Sequence, residues 1–389
     1  MKTLPDSPSL DHLRQQAKDL LAQLRMLRPD ATLSEAQTVV AEQHGFRTWP
    51  DLKAEVDRRY ATPRTAEDGV ADAVAATFDL GTPQGPLVAF ERQWAGQAWV
   101  LMTDQGRWIA RQLFAWFEET AVKDEMLLAE ATVAAGIQTP RPVRSATDNV
   151  IETIHGSRWR VFEHLAFGPE PSIPADPRHA ATAGRILGSV HRLRLPAPQP
   201  IQPWLTQVRS EAQWWQLHAA ADADGMPWAG RLAEVIPTIV DVSGIVEVAG
   251  PGEDVVLSAC HYAPNAFRVA GPDRLVIMGW DHAGAMPVRW DLGATLVAWS
   301  GGVDGGVNRA AAKALAAGYA EETEVPGPLV LGSFSTAVCA SLNWLGSRIR
   351  IALRECDVEA KEIAARAVPT LLAEPPSRNR LQAVLDAID

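Results

Sequence analysis

Leu10, Leu13, Ala17, Leu20, Leu21, Leu24 and Leu27 recur at three- and four-residue steps, with Arg14, Lys18 and Arg25 between them. That is the period of an amphipathic helix with one apolar stripe, and Ser9 stands where a hydroxyl would cap its first turn. Ser34 and Gln37 make a capping-box pair ahead of Ala36, Val39 and Val40, and Gly45 after His44 ends this second helix. Thr48, Trp49, Pro50 and Asp51 open a third, with Leu52 and Val56 on its buried side. Three short helices alone bury little apolar surface. The module over residues 1–60 is therefore expected to dock on the rest of the chain, with residues 61–68 as linker.

Beyond the linker the period changes. Leu87–Phe90, Ala98–Thr103 and Trp108–Leu113 are short apolar or alternating runs, the last two separated by Asp104, Gln105 and Gly106, a hairpin-turn composition. Lys123–Ala135 reads as a helix stopped by Gly136, and Pro140 and Pro142 lead to a strand pair near Asn149–Thr153 and Trp159–His164. From Pro177 onward helical spacing dominates, as in Ala183, Ile186, Leu187 and Val190, broken by a strand pair at Val255–Leu257 and Leu275–Ile277. The expected class is α+β: a small β-rich lobe over 69–165, then a larger, mostly helical lobe over 166–389.

Composition narrows the function classes. A chain of 389 residues holds two or three domains. Its 36 Lys and Arg against 47 Asp and Glu give a net charge of −11, which argues against generic nucleic-acid binding. No apolar run is long enough to span a membrane, and Met1–Leu10 carries Pro and Asp where a secretion signal needs an apolar core, so a cytoplasmic protein is expected. Cys260, Cys339 and Cys356 have no metal-type spacing and suit a reducing compartment without disulfides.

Two resemblances add to this. Leu13, Arg14, Ala17, Lys18 and Leu20, then Ala36, Gln37, Ala41, Gly45, Phe46, Trp49, Pro50 and Leu52, resemble a small helical module found N-terminal to various bacterial proteins. It carries no known chemistry and reads as a docking or stabilising element. Further on, Gly184-Arg185, Leu187-Gly188 and Val190-His191 resemble the L-G-R-x-L-A-x-L-H pattern of aminoglycoside phosphotransferases and choline-kinase-like enzymes. Ile137–Val143 resembles their Pro-rich segment, Val161–Leu165 their hinge strand, and Trp280-Asp281-His282-Ala283-Gly284 with Trp290-Asp291-Leu292 their metal-site region. The resemblance covers about Ala71 to the C-terminus. It implies a two-lobed protein-kinase-like fold preceded by a small all-α module, with ATP and Mg²⁺ as the cofactors.

Phosphoryl transfer needs a cation on the nucleotide phosphates, metal ligands and an acid to orient the attacking hydroxyl. The resemblance places Arg111 at the strand cation, Glu125 at its helix partner and Glu163 in the hinge; solvated surface charges are the alternative for Arg111 and Glu125. Gly96 stands alone where a phosphate-covering turn would be, which an ordinary turn explains equally. The catalytic loop departs from the family's H-x-D-x-x-x-x-N: Ser258-Ala259-Cys260-His261-Tyr262-Ala263-Pro264-Asn265 places Cys260 at the acid, or His261 if one deletion is allowed. The principal Mg²⁺-binding acid is replaced by Gly279 in Met278-Gly279-Trp280. Asn265 and Asp281 remain as oxygen donors for a weak metal site, and Asp291 is expected to fix the loop. A reactive thiolate at Cys260 is weighed against a Cys that merely fills the space of the lost acid.

The insertion from Pro203 to Trp228 carries Trp204, Trp214, Trp215 and Trp228 with Glu211, Asp222 and Asp224. Glu211, Trp214 and Trp215 would suit a cationic or sugar-like ligand, unless the tryptophans pack helices together. The expectation is a pseudokinase that binds a small molecule, nucleotide or partner protein. The alternatives are an active ATP-dependent small-molecule kinase, and a peptide- or protein-binding scaffold subunit.

Overall fold

The computed structural model describes residues 10–28, 31–44, 46, 48–53, 56, 65–92, 95–115, 117, 120–250, 253–302, 305–354 and 358–388. The chain gathers into two compact units, one of residues 1–114 and 144–161, the other of 115–143 and 162–389.

In the first unit, α1 (Leu10–Leu27), α2 (Leu33–Gln43) and a helical turn at 49–53 enclose a small core of Leu13, Ala17, Val40, Ala41, Leu52 and Val56. The capping box of α2 lies two residues earlier than the sequence suggests. Thr32 N–H donates to Glu35 Oε2 at 2.7 Å and Glu35 N–H donates to Thr32 Oγ1 at 3.3 Å. A carboxylate suits the positive end of a helix better than the Gln37 amide, which decides between two overlapping patterns. The Thr48 cap is as expected: its hydroxyl donates to Asp51 Oδ2 at 2.7 Å, and Asp51 N–H donates back at 3.3 Å. Ser9, Gly45, Cys356 and linker residues 57–64 lie outside the described residues.

A short alanine-rich helix, α3 (Val70–Thr77), precedes β1 (Val88–Arg92), β2 (Gly96–Thr103) and β3 (Gly106–Leu113). Thr103 faces Gly106 across a two-residue turn, Asp104–Gln105, as the composition predicts. The buried Thr103 hydroxyl holds this turn, donating to the Leu80 carbonyl at 2.6 Å and accepting from Trp108 Nε1 at 3.1 Å. The helix α4 (Thr120–Ala134) and β4 (Pro142–Val143) belong to the second unit, although the sequence places both within the β-rich lobe. The chain returns to the first unit in β5 (Glu152–Ile154) and most of β6 (Ser157–Glu163), giving the sheet order β1-β2-β3-β6 with β5 on β6; the β1–β2, β2–β3 and β5–β6 pairs are antiparallel.

The second unit is mostly helical, built from α5 (Pro177–Arg192), α6 (Pro203–Thr206), α7 (Glu211–Ala223), α8 (Ala229–Ser243), α9 (Val288–Trp299), α10 (Arg309–Glu322), α11 (Ser335–Arg354), α12 (Val358–Ala373) and α13 (Arg378–Ile388). One apolar core joins most of them, with Trp214, Trp228, Trp280 and Trp299 among its largest members, while Leu205 of α6 packs with Met286 and Trp290 in a smaller cluster. Its strands correct one expectation. β7 (Val255–Ser258) and β9 (Arg274–Ile277) exist but do not pair with each other. β7 pairs with β10 (Gly284–Pro287), and β9 pairs with β8 (Phe267–Gly271). Both partners contain Gly and one ends in Pro, which hides them from a propensity reading. No described helix is long and apolar enough to cross a membrane.

Candidate functional site

The β7–β10 ladder sets the site. Ser258, the last residue of β7, lies opposite Gly284, the first of β10, so the 259–266 loop and the 278–283 segment leave the same end. Met278 N–H also donates to the Ala266 carbonyl at 2.8 Å, fixing the second segment beside the residue after Asn265. The two stretches that resemble the phosphotransferase catalytic loop and metal site are thus held side by side.

Beneath them runs a fully buried polar chain. Ser258 Oγ makes a short hydrogen bond to Asp291 Oδ2 and lies 3.1 Å from the Tyr262 hydroxyl. The same Asp291 oxygen lies 3.1 Å from His191 Nε2, and His191 Nδ1 lies 2.9 Å from the Tyr319 hydroxyl. Asp291 therefore fixes the loop, as its place in Trp290-Asp291-Leu292 suggests, and its carboxylate does not reach solvent.

Cys260 turns inward. Its backbone is left-handed, with φ +56°, and its Sγ lies 3.5 Å from the Gly284 carbonyl and 3.6 Å from that of Ser258. Burial first, and the Asp291 charge second, push its thiol well above the ordinary range. A thiol held protonated among carbonyl oxygens is a poor nucleophile, and the inward turn fits a Cys that fills space better than a reactive thiolate. Cys339 is fully buried in α11, and burial pushes its thiol up to about 12.

His261 turns outward, is exposed, and places Nε2 3.1 Å from Asn265 Oδ1. Its ring meets His282 edge-on with centroids 5.5 Å apart. Partial loss of hydration where the two rings crowd together lowers both imidazoles below the usual histidine value, although each keeps an edge in solvent. For His261 the Asn265 hydrogen bond works against this, and for His282 the His261 charge adds to it. Of the two positions weighed for the lost acid, His261 is thus the one brought together with Asn265. His282 is the site residue that sequence reasoning does not single out; its place two residues before β10, at the open end of the ladder, is the signal that marks it.

Gly279 sits at φ +156°, and a Cβ added there would meet nothing within 4 Å. A side chain would have room, and none is there. Asp281 is half-buried two residues on. The donor set fits Mg²⁺ poorly, because Asn265 Oδ1 is engaged by His261 and the 278–282 segment offers one carboxylate. Among the described residues no three His, Cys, Asp or Glu side chains are arranged to hold a metal ion.

The remaining candidates are spread more widely. Arg111, in β3 of the first unit, and Glu125, on α4 of the second, are both buried, at 4% and 2% exposure, so neither is a solvated surface charge. Glu163 is half-exposed; its N–H donates to the Arg141 carbonyl at 2.8 Å and its carboxylate lies 3.9 Å from Arg141 Nε. Gly96 opens β2 opposite Leu113, where a Cβ would stand 2.2 Å from the Gln112 carbonyl oxygen. Strand packing, not a phosphate, accounts for that glycine. Trp214 and Trp228 are buried in the core, so Trp214 is not available to a ligand. Trp215 is 40% exposed and donates to Glu211 Oε1 at 3.3 Å, which places these two together on the surface of α7.

The architecture matches solved phosphotransferases. An amicoumacin kinase, solved with AMP-PNP and Ca²⁺, aligns with a TM-score of 0.54 at 14% identity, over 85% of this chain and 99% of its own. The spectinomycin phosphotransferase APH(9)-Ia, solved with ADP and spectinomycin, gives 0.54 at 10% identity, over 78% and 93%. The chain has the aminoglycoside-phosphotransferase fold. A microcompartment-associated aminopropanol kinase shares this phosphotransferase fold at a TM-score of 0.51 and 15% identity, over 78% of this chain and 94% of its own. Residues 3–102, within the first unit, match a family described as "Glyoxalase superfamily protein". No curated protein matches the chain in sequence.

Proposed function

We propose that this protein is a pseudokinase: a phosphotransferase scaffold that binds a small molecule and does not turn over ATP. One observation carries the reading. Where the mechanism needs an acid facing the attacking hydroxyl and a second on the metal, the two adjacent segments present the His261–Asn265 pair and a bare Gly279, while Cys260 is folded inward. The buried acid nearby, Asp291, is taken up by Ser258 and His191 and is not free to serve. The relatives' nucleotides and antibiotics set the ligand class, a polar small molecule with or without a nucleotide. A cytoplasmic location, and the helical module as a contact for a partner protein, belong to the same proposal.

A second reading is favoured by the His261–Asn265 contact. It places a neutral imidazole where a hydroxyl proton could be accepted, beside the oxygen donors Asn265 and Asp281, and so describes an unusual small-molecule kinase. Calorimetric titration with ATP, with and without Mg²⁺, followed by a phosphate-release assay separates the two. Absence of turnover supports the pseudokinase. Mg²⁺-dependent turnover abolished by Asp281→Ala overturns it.

A further inference from the structure

The helix α11 runs for twenty residues, Ser335–Arg354, without a single Asp or Glu, and carries Arg348, Arg350 and Arg354, in a chain whose net charge is −11. Asn343, Gly346 and Arg350 fall on one face of it at steps of three and four. Across that face lies Arg209, from the turn before α7. Its Nη1 donates to Asn343 Oδ1 at 3.0 Å and its guanidinium stands 5.7 Å from the centre of the Trp214 ring. It rests so closely on Gly346 that a Cβ there would be 2.4 Å from Nη1. The glycine gives the guanidinium its seat, Asn343 sets its angle, and the core tryptophan backs it.

This arginine is held in place by three residues, yet among the described residues neither it nor Arg350 forms an ion pair. Burial of Arg209 and the nearby Arg350 charge both disfavour its cation. Glu211, the acid two residues on, is turned to Trp215. Arg350 stands one helical turn beyond Gly346, the seat of the Arg209 guanidinium, so two cationic side chains share this face, one of them preorganised, and such a pair suits a planar or tetrahedral oxyanion bound through paired hydrogen bonds.

We propose that Arg209 and Arg350 form a binding site for an oxyanion, the phosphate or carboxylate group of a small ligand, on the helical lobe. The sign of this site is opposite to the cationic ligand that Glu211, Asp222 and Asp224 suggest from sequence. It stands whether or not the protein transfers phosphate, so its test uses no ATP.

The full-length protein is titrated calorimetrically with inorganic phosphate and, separately, with citrate, at 0.15 M salt, where loose surface attraction is screened. At least one anion is expected to bind saturably. Arg350→Gln, on an exposed residue, should weaken that binding at least ~10-fold with the melting temperature unchanged, the loss expected of a charged hydrogen bond. Arg209→Gln should weaken it further, and Arg178→Gln, whose side chain is paired to Asp176 elsewhere, should leave it unchanged. Preference for phosphate or for citrate identifies the group the site takes. Failure of both anions to saturate, or equal binding by wild type and Arg350→Gln, overturns the proposal.

Discussion

Asp291 and Ser258 are joined by a short hydrogen bond inside the core, and His191 approaches the same carboxylate oxygen at 3.1 Å. Removing the acid orphans two buried polar groups, each costing roughly 1–3 kcal/mol. Asp291→Ala is therefore expected to lower the unfolding free energy by about 3 kcal/mol, and Ser258→Ala by about 1 kcal/mol. Urea denaturation followed by tryptophan fluorescence checks the order; equal losses would show that the two side chains do not share one network.

The inward turn of Cys260 predicts an unreactive thiol. At pH 7.5 its alkylation by iodoacetamide, read on the Cys260 peptide by mass spectrometry, should be at least ~10-fold slower than that of glutathione, since each unit of raised pKa removes a factor of ten in thiolate. Fast labelling would restore the nucleophile reading.

The paired imidazoles give a pH signature. Both are lowered in the folded protein, so between their folded midpoints and the unfolded value of about 6.5 the unfolded chain binds more protons. Stability should fall as pH drops below about 6.5 and level off beneath the folded midpoints. NMR titration should show Asn265→Ala lowering the His261 midpoint further, because that hydrogen bond favours the cation, and His261→Gln raising that of His282. Independent titration of the two rings would contradict the contact.

Trp214 and Trp215 are adjacent in sequence and opposite in role. Trp214→Ala should destabilise by about 3–5 kcal/mol through the cavity it leaves, whereas Trp215→Ala should stay within about 0.5 kcal/mol. Thermal and urea unfolding of both variants measures this; a neutral Trp214→Ala would return that residue to the ligand candidates.

These particulars show where sequence reading reaches. The alternation along β2 and β3 and the Asp104–Gln105 turn were legible because local chemistry decides them. The partners of β7 and β9 were not, because β8 and β10 are short, hold glycine, and gain their strand character from neighbours distant in sequence. The identities of residues 260 and 279, Cys and Gly where the resemblance leads one to expect acids, were legible as letters. That His261 rather than Cys260 meets Asn265 depends on the left-handed backbone at Cys260, which no residue type announces. Adjacent tryptophans on a helix point about 100° apart, and only the packing of α7 says which is inside.

The register of β7 on β10 has one more consequence. Positions 261, 265, 279 and 282 all lie beyond the ends of those strands, while the ladder is sealed below by Ser258 and Asp291. The outer positions can be exchanged without disturbing the joint that carries them. A frame held this way separates architecture from chemistry: the joint is set by the ladder and the buried pair beneath it, and the side chains beyond the strand ends set what the loops can touch.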